Sequence, residues 1–195
     1  MDNRKVLDEI NYYRCIGEHK RFFSNELFIL SALQRKDIEP IRLWRNKKIE
    51  LLRQNKMLSG EEQDKYWNNS ILISFKQDKP KNILMRMVSK DSEELIAYGG
   101  LVHIDWDKYR AETSFLSKSE ISDLSPEYEE ILLNFFDLII DLAKFIAIQT
   151  LYSETYNFRT RHISLLEKIG YKEYGFLRKK FSPQEYSVLH QLEIK

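Results

Sequence analysis

The stretch that most constrains the fold is residues 95–116, "LIAYGGLVHIDWDKYRAETSFL". Apolar and polar residues alternate on either side of the polar turn "DWDK", which reads as two antiparallel strands. A lone hairpin is marginal in water and needs further strands or a helix over one face. The flanking sequence supplies both. "ILMRMVSK" (83–90) leads into the hairpin through the charged turn "DSEE", extending it to a meander. Downstream, "ILLNFFDLIIDLAKFIAI" (131–148) is the most hydrophobic run of the chain, broken by Asp137, Asp141 and Lys144. A membrane span requires roughly 20 consecutive apolar residues, so this run predicts a buried helix. Ser125 is placed to cap it, with Pro126 at its first position.

The remaining elements follow from local signals. "LFILSAL" (27–33) alternates and predicts the first core strand. Asp37 is placed to cap a helix through "IEPIRLWRNKKIELL", with Pro40 tolerated in its first turn. Ser59 and Glu62 have capping-box spacing and mark a second helix. "ILISFK" (71–76) is a short apolar segment before the loop "QDKPKN". "TLYSETY" (150–156) is a strand, "FRTRHISLLEKIG" is an amphipathic helix stopped at Gly170, and "YKEYGFLRKKF" with "EYSVLHQLEIK" forms a last hairpin. Val6, Leu7, Ile10 and Tyr13 have helical spacing. Residues 1–25 are therefore expected as a helical N-terminal extension to one domain spanning 26–195, a length sufficient for a single sizeable core. The expected class is α+β: a central, mixed but mostly antiparallel twisted sheet flanked by helices, with an extra N-terminal helix.

Composition excludes several functions. The 31 basic and 30 acidic residues leave a formal net charge of +1, unlike the strongly basic footprint of a nucleic-acid binder. Cys15 is alone, and no cysteine–histidine cluster has zinc-ligand spacing, so a reducing compartment and no metal are expected. The charged N-terminus is not a secretory signal. A soluble, cytoplasmic protein without membrane contact is the expectation.

Three segments carry a family resemblance: "LQRKDIEPIRLWRNKKI", "SGEEQDKYW" and "LLEKIGYKEYGFLRKKF". In this order, from Glu26 onward, the chain resembles the GNAT superfamily of acyl-CoA N-acyltransferases. It is similar to the subgroup that includes ribosomal-protein N-terminal and nucleotide-amino-sugar acetyltransferases, where a pair like Arg45–Asn46 ends the first helix. The resemblance implies acetyl-CoA, or another acyl-CoA, as donor. It also implies direct attack by a primary amine in a ternary complex, the amine being an amino sugar or a protein N-terminus. In such folds the strand before the long helix parts from the strand after it, and the pantetheine arm fills the gap. Donor contacts then fall on Thr113, Ser114, Phe115 and Leu116. On the last helix the family's Asn and Tyr positions hold Arg159 and Leu166, so Asn157, two residues early, and Arg161 are the donor-side candidates left there. Glu112 stands where relatives place a base, although alternation equally permits a solvent-facing glutamate. His103 is either a proton relay or a packed strand histidine, and Tyr171 is a further possible acid. Arg45, Asn46, Asp105, Trp106 and His162 are the expected acceptor-side residues; Trp106 either shapes a pocket or covers a sheet edge. Basic residues of the first helix (Arg42, Arg45, Lys47, Lys48) and Arg53 would suit a phosphorylated or nucleotide-linked acceptor, or form a solvated face. A homodimer is compatible with the resemblance.

The chain departs from the family at its most specific motif. The glycine-rich pyrophosphate loop is replaced by "SKSEISDLSPEYEEI". Ser117, Lys118 and Ser119 are the donors left to replace its amides. Two alternatives therefore stand beside an acetyltransferase: a binding or regulatory module without turnover, and an acyltransferase fed by an acyl-carrier protein. The adjacent Gly99 and Gly100, in a strand where glycine is unfavourable, permit either a bulge or a close approach of ligand; a bulge serving sheet curvature is the simpler of the two.

Overall fold

The computed structural model describes residues 11–179 and 182–194. Eight strands form one mixed sheet: β1 (Phe22–Ser24), β2 (Phe28–Ala32), β3 (Ile83–Ser89), β4 (Leu95–Asp105), β5 (Arg110–Ser117), β6 (Thr150–Tyr156), β7 (Lys172–Lys179) and β8 (Ser182–Glu193). Their order in space is β1-β2-β3-β4-β5-β6-β8-β7. Neighbours are antiparallel throughout except for β5 and β6. A parallel pair needs a long crossover, and the helix between these two strands, Pro126–Phe145, supplies it.

The helices are α1 (Ile38–Lys47), α2 (Gly60–Tyr66), α3 (Leu72–Phe75), α4 (Pro126–Phe145) and α5 (Thr160–Ile169), with a π-helical turn (Trp67–Ile71) joining α2 to α3. α4 buries Ile131, Leu132, Phe135, Phe136, Leu138, Ile139 and Leu142. Each such side chain contributes about 1.5–3 kcal/mol relative to exposure. Asp137, Asp141 and Lys144 fall on its solvent face, so the charges that break the apolar run do not break the packing. Phe115 meets α4 on one face of the sheet, its ring 5.0 Å from that of Phe135. α1 and α2 cover the opposite face. Local signals hold at the caps: the Ser59–Glu62 box is reciprocal, Ser125 accepts from the Tyr128 amide at 3.1 Å, and Gly170 ends α5 at φ +112°.

Three expectations are corrected. Residues 11–16 form a loop and turn, not a helix; residues 1–10 of the expected extension lie outside the described residues. Tyr13 explains why: its buried hydroxyl accepts from the Leu84 amide at 2.7 Å and donates to the Leu84 carbonyl at 3.0 Å. Bonding both groups of one core residue anchors this loop and turn to β3. The same N-terminal stretch also contains β1, which joins the sheet. Second, Asp37 does not cap α1 through its side chain. It accepts from the Gln34 amide at 2.7 Å and pairs with Arg86 at 3.1 Å while 2% exposed. Third, Gly99 and Gly100 do not form a bulge, for the β3–β4–β5 ladders run through both without a shift. A Cβ on Gly99 would stand 1.9 Å from the Ser114 carbonyl oxygen, and one on Gly100 2.0 Å from that of Ile83. The pair allows neighbouring backbones to close on β4 from both sides.

Candidate active site

β5 and β6 pair over only three rungs, Arg110–Thr150, Ala111–Leu151 and Glu112–Tyr152. Beyond Glu112 the ladder stops, while β6 continues along β8 as far as the Tyr156–Ser187 rung. β6 thus follows β8 away from β5 and leaves a wedge. The resulting cleft, about 90 Å³, is lined by Thr113, Ser114 and Phe115 of β5, residues 153–156 of β6, and Arg159 and His162 near the start of α5. Buried peptide groups must find partners, so an open strand edge is a natural seat for an extended chain bearing amides. Phe115 does not plug the wedge, because its ring turns into the core against Tyr128, Phe135 and Phe136.

A second cavity of about 370 Å³ lies between the sheet and α1–α2. Ser114 lines both spaces. Register explains the meeting point. Gly100 opposes Ser114 and Val102 opposes Glu112, so these four residues lie on one sheet face. Glu112 therefore stands one pleat from Ser114, on the same face as the larger cavity.

The surroundings of Glu112 come from three other elements. Arg53, in the loop after α1, pairs with Glu112 and, at 2.9 Å, with Glu154 of β6. His103 lies at the β4 bulge between Val102 and Asp105, with φ +52°. Bulges re-aim side chains, and here the exposed His103 imidazole comes within 3.9 Å of the Glu112 carboxylate. Tyr171 is on the other side of β5. Its buried hydroxyl sits 3.2 Å from the Thr113 hydroxyl, which donates to the Tyr152 carbonyl at 3.0 Å. Burial pushes the Tyr171 phenol upward, the Thr113 bond opposing this in part.

In the segment that replaces the glycine-rich loop, the chain builds a side-chain network. Lys48 donates to the Ser117 hydroxyl at 2.9 Å and the Ile121 carbonyl at 2.8 Å, and lies 3.5 Å from Asp123. Asp123 also holds Arg159 at 2.7 Å. Arg159 reaches the Tyr128 hydroxyl at 2.9 Å, and that hydroxyl is 2.7 Å from His162 Nδ1. Burial depresses the Lys48 ammonium, with Asp123 opposing. Burial, then Arg159 and His190, holds His162 well below the usual imidazole value. Glu129 at the start of α4 is matched by Arg161 and Lys168. Residues 118–125 contain no glycine. The wedge, with its open strand edge, suits the amide-bearing arm of a pantetheine thioester.

The expected site residues divide accordingly. Glu112, Thr113, Ser114, Phe115 and His162 line the wedge, with His103 beside Glu112. Arg45 lines the larger cavity. Leu116 is buried next along β5, Lys118 pairs with Glu94, and Ser119 donates to Glu120. Asn157 is bound to the Tyr186 backbone, and Asn46 is tied to Leu58 and Gln54. Asp105 orders the β4–β5 turn through the Lys108 amide. Trp106 donates to the Pro80 carbonyl at 2.8 Å and covers the sheet beside that loop. The particular roles of Arg53, Glu154, Tyr98 and Asp123 are not marked by any local sequence pattern. Among the described residues, no helix is long and apolar enough to cross a membrane.

A family model described as an acetyltransferase (GNAT) domain matches residues 30–185. No curated protein matches the sequence significantly. Among solved structures, the chain is similar to a spermidine N-acetyltransferase from Vibrio cholerae in complex with CoA and spermine. The TM-score is 0.71 at 16% identity, covering 87% of this chain and 97% of that one. A dodecameric form of that enzyme gives 0.69 at 17% identity, covering 87% and 95%. A domain from Methanocaldococcus jannaschii gives 0.64 at 14%, covering 85% and 97%. At these identities the likeness is one of fold.

Proposed function

The chain belongs to the GNAT acetyltransferase family, and from that premise we propose that it moves an acetyl group from acetyl-CoA to a primary amine at Ser114, where the wedge meets the larger cavity. The observation that carries this reading is the three-rung parallel pair, which leaves β5 open from Thr113 onward. Bound acetyl-CoA supplies the activated acyl group as a thioester.

The chain's own residues do the rest. The open β5 edge from Thr113 to Leu116 orients the donor arm. The α1–α2 cavity receives the amine. An ammonium has no lone pair to attack with, so its proton must leave first. Glu112, on the acceptor face one pleat from Ser114, takes that proton directly or through a water, with His103 beside it as the path to solvent. As the new C–N bond forms and the C–S bond breaks, the departing sulfur needs a proton. Tyr171, kept protonated by burial, reaches the wedge only through the Thr113 hydroxyl.

The resemblance suggests an amino sugar or a protein N-terminus as acceptor. The phosphorylated-sugar version drew support from the basic first helix, and that support weakens. Arg42 is bound to Glu39 and the Leu58 carbonyl, Lys48 is buried with Asp123, and Arg53 is held by two glutamates.

Calorimetry with acetyl-CoA, CoA and 4′-phosphopantetheine tests the donor. Binding of acetyl-CoA together with acetylation of any amine supports the reading. Equal affinity for the truncated arm points to a carrier-protein donor, and no binding of any thiol cofactor points to a module without turnover.

A further inference from the structure

The larger cavity carries one uncompensated charge. Arg45 reaches it from α1, half-buried, its Nε donating to Gln54 at 3.0 Å and its Nη1 to the Tyr98 hydroxyl at 2.8 Å. Both partners are neutral. Among the described residues no carboxylate lies within ion-pair distance of this guanidinium, whereas the other cations of the region, Arg42, Lys48, Arg53 and Lys56, each have one. The one carboxylate among the described lining residues, Glu62, is already committed: it caps α2 at the Ser59 amide and pairs with Lys56. Lys56 first, then the Ser59 amide, pulls that carboxyl down to about 2. Most of the other lining is aliphatic, from Ile38, Ile41, Leu58, Ile71 and Val102.

A guanidinium removed from water beside neutral partners retains free N–H donors arranged for a carboxylate. From this arrangement we infer that the acceptor is an amine that also carries a carboxylate and an apolar body, an amino acid or short peptide, with Arg45 taking the carboxylate. This rests on the acetyl-transfer reading and narrows it. The geometry favours it for two reasons. Tyr98 opposes Leu116, one pleat repeat along from the Gly100–Ser114 rung, so Arg45 anchors a molecule whose amine points down the strand toward Ser114. A polyamine, in contrast, would bring its cations into a chamber whose one uncompensated charge is positive and whose acid is occupied. A phosphorylated acceptor would set a dianion against a single guanidinium.

The test is a matched series with acetyl-CoA and the full-length protein: leucine, phenylalanine and the dipeptide Leu-Gly, each against its C-terminal amide, with spermidine and glucosamine as outsiders. Turnover is read by CoA release and, in parallel, binding by calorimetry in the presence of CoA. The expected result is a kcat/KM or affinity at least tenfold higher for the acids than for their amides, with that ratio falling to near one in Arg45→Gln. The acid-to-amide comparison in the unaltered protein stands even if the variant folds poorly. Amides or spermidine matching the acids overturns the inference while leaving acetyl transfer intact, as does donor binding with neither acid nor amide bound. Failure of acetyl-CoA itself to bind is a separate outcome, and it sinks the transfer reading instead.

Discussion

Arg53 and Glu112, 59 residues apart in the chain, form an ion pair over the point where β5 and β6 part, and the same guanidinium holds Glu154 on the far strand. The loop after α1 is thereby pinned across the mouth of the wedge. Its neighbour Leu52 accepts from the Tyr156 hydroxyl at 3.4 Å. The proposed base and the loop at the mouth of the wedge are thus physically joined.

Glu112→Gln keeps the size of the side chain and removes its basicity. Turnover is expected to fall by about 100-fold or more, while acetyl-CoA binding measured by calorimetry changes little. An unaltered rate and an unaltered pH profile between pH 6 and 9 would remove Glu112 from the chemistry.

Gly99→Ala and Gly100→Ala each place a methyl about 2 Å from a neighbouring carbonyl oxygen. Backbone cannot yield as a flexible side chain does, so each is expected to cost about 3 kcal/mol or more by chemical denaturation. Gly60→Ala is the control. A Cβ there meets open space in the first turn of α2, and a gain of about 0.4–1 kcal/mol is expected from the stiffer unfolded chain.

Tyr13→Phe strips the Leu84 amide, deep in the core, of its partner, while the Leu84 carbonyl keeps the Leu33 amide at 3.4 Å. Unpaired buried groups cost about 1–3 kcal/mol, and urea unfolding should show a loss in that range. A loss below a few tenths would mean that water replaces the hydroxyl.

His162 gives the pH dependence. Its folded pKa lies well below the ordinary imidazole value because burial, Arg159 and His190 disfavour the cation. Below about pH 6.5 the unfolded chain therefore binds a proton that the folded chain refuses, and stability falls as pH falls through that window. One such group contributes at most about 1.4 kcal/mol per pH unit. Unfolding free energies from pH 7 to 5 should decline more steeply for the natural protein than for His162→Gln; parallel curves would show that His162 takes no part.

Much of the fold is legible because its signals are local. Alternation in 95–116 predicts the β4–β5 hairpin, and the Ser59, Ser125 and Gly170 caps need only neighbours within a turn. Asp37 misleads because its N-cap position looks local, while its partner Arg86 lies on β3. Tyr13 misleads in the same way, its helical spacing overridden by two hydrogen bonds to Leu84. The site is read less completely. The family resemblance points to Glu112 and to the β5 edge, and the three-rung β5–β6 pair leaves that edge open. The Arg53–Glu112–Glu154 bridge and the Lys48–Asp123–Arg159 network join segments with no pattern in common, and only packing reveals them.

The position of β8 has a consequence for biosynthesis. Every residue found lining the chamber under α1 and α2 lies between Leu33 and Ser114, so that chamber can close while synthesis is still in progress. The wedge is completed later: β6 has three rungs with β5 and seven with β8, the last strand of the sheet to leave the ribosome. A nascent chain stalled before residue 182 would hold a finished chamber, and a wedge whose β6 side hangs on three rungs alone.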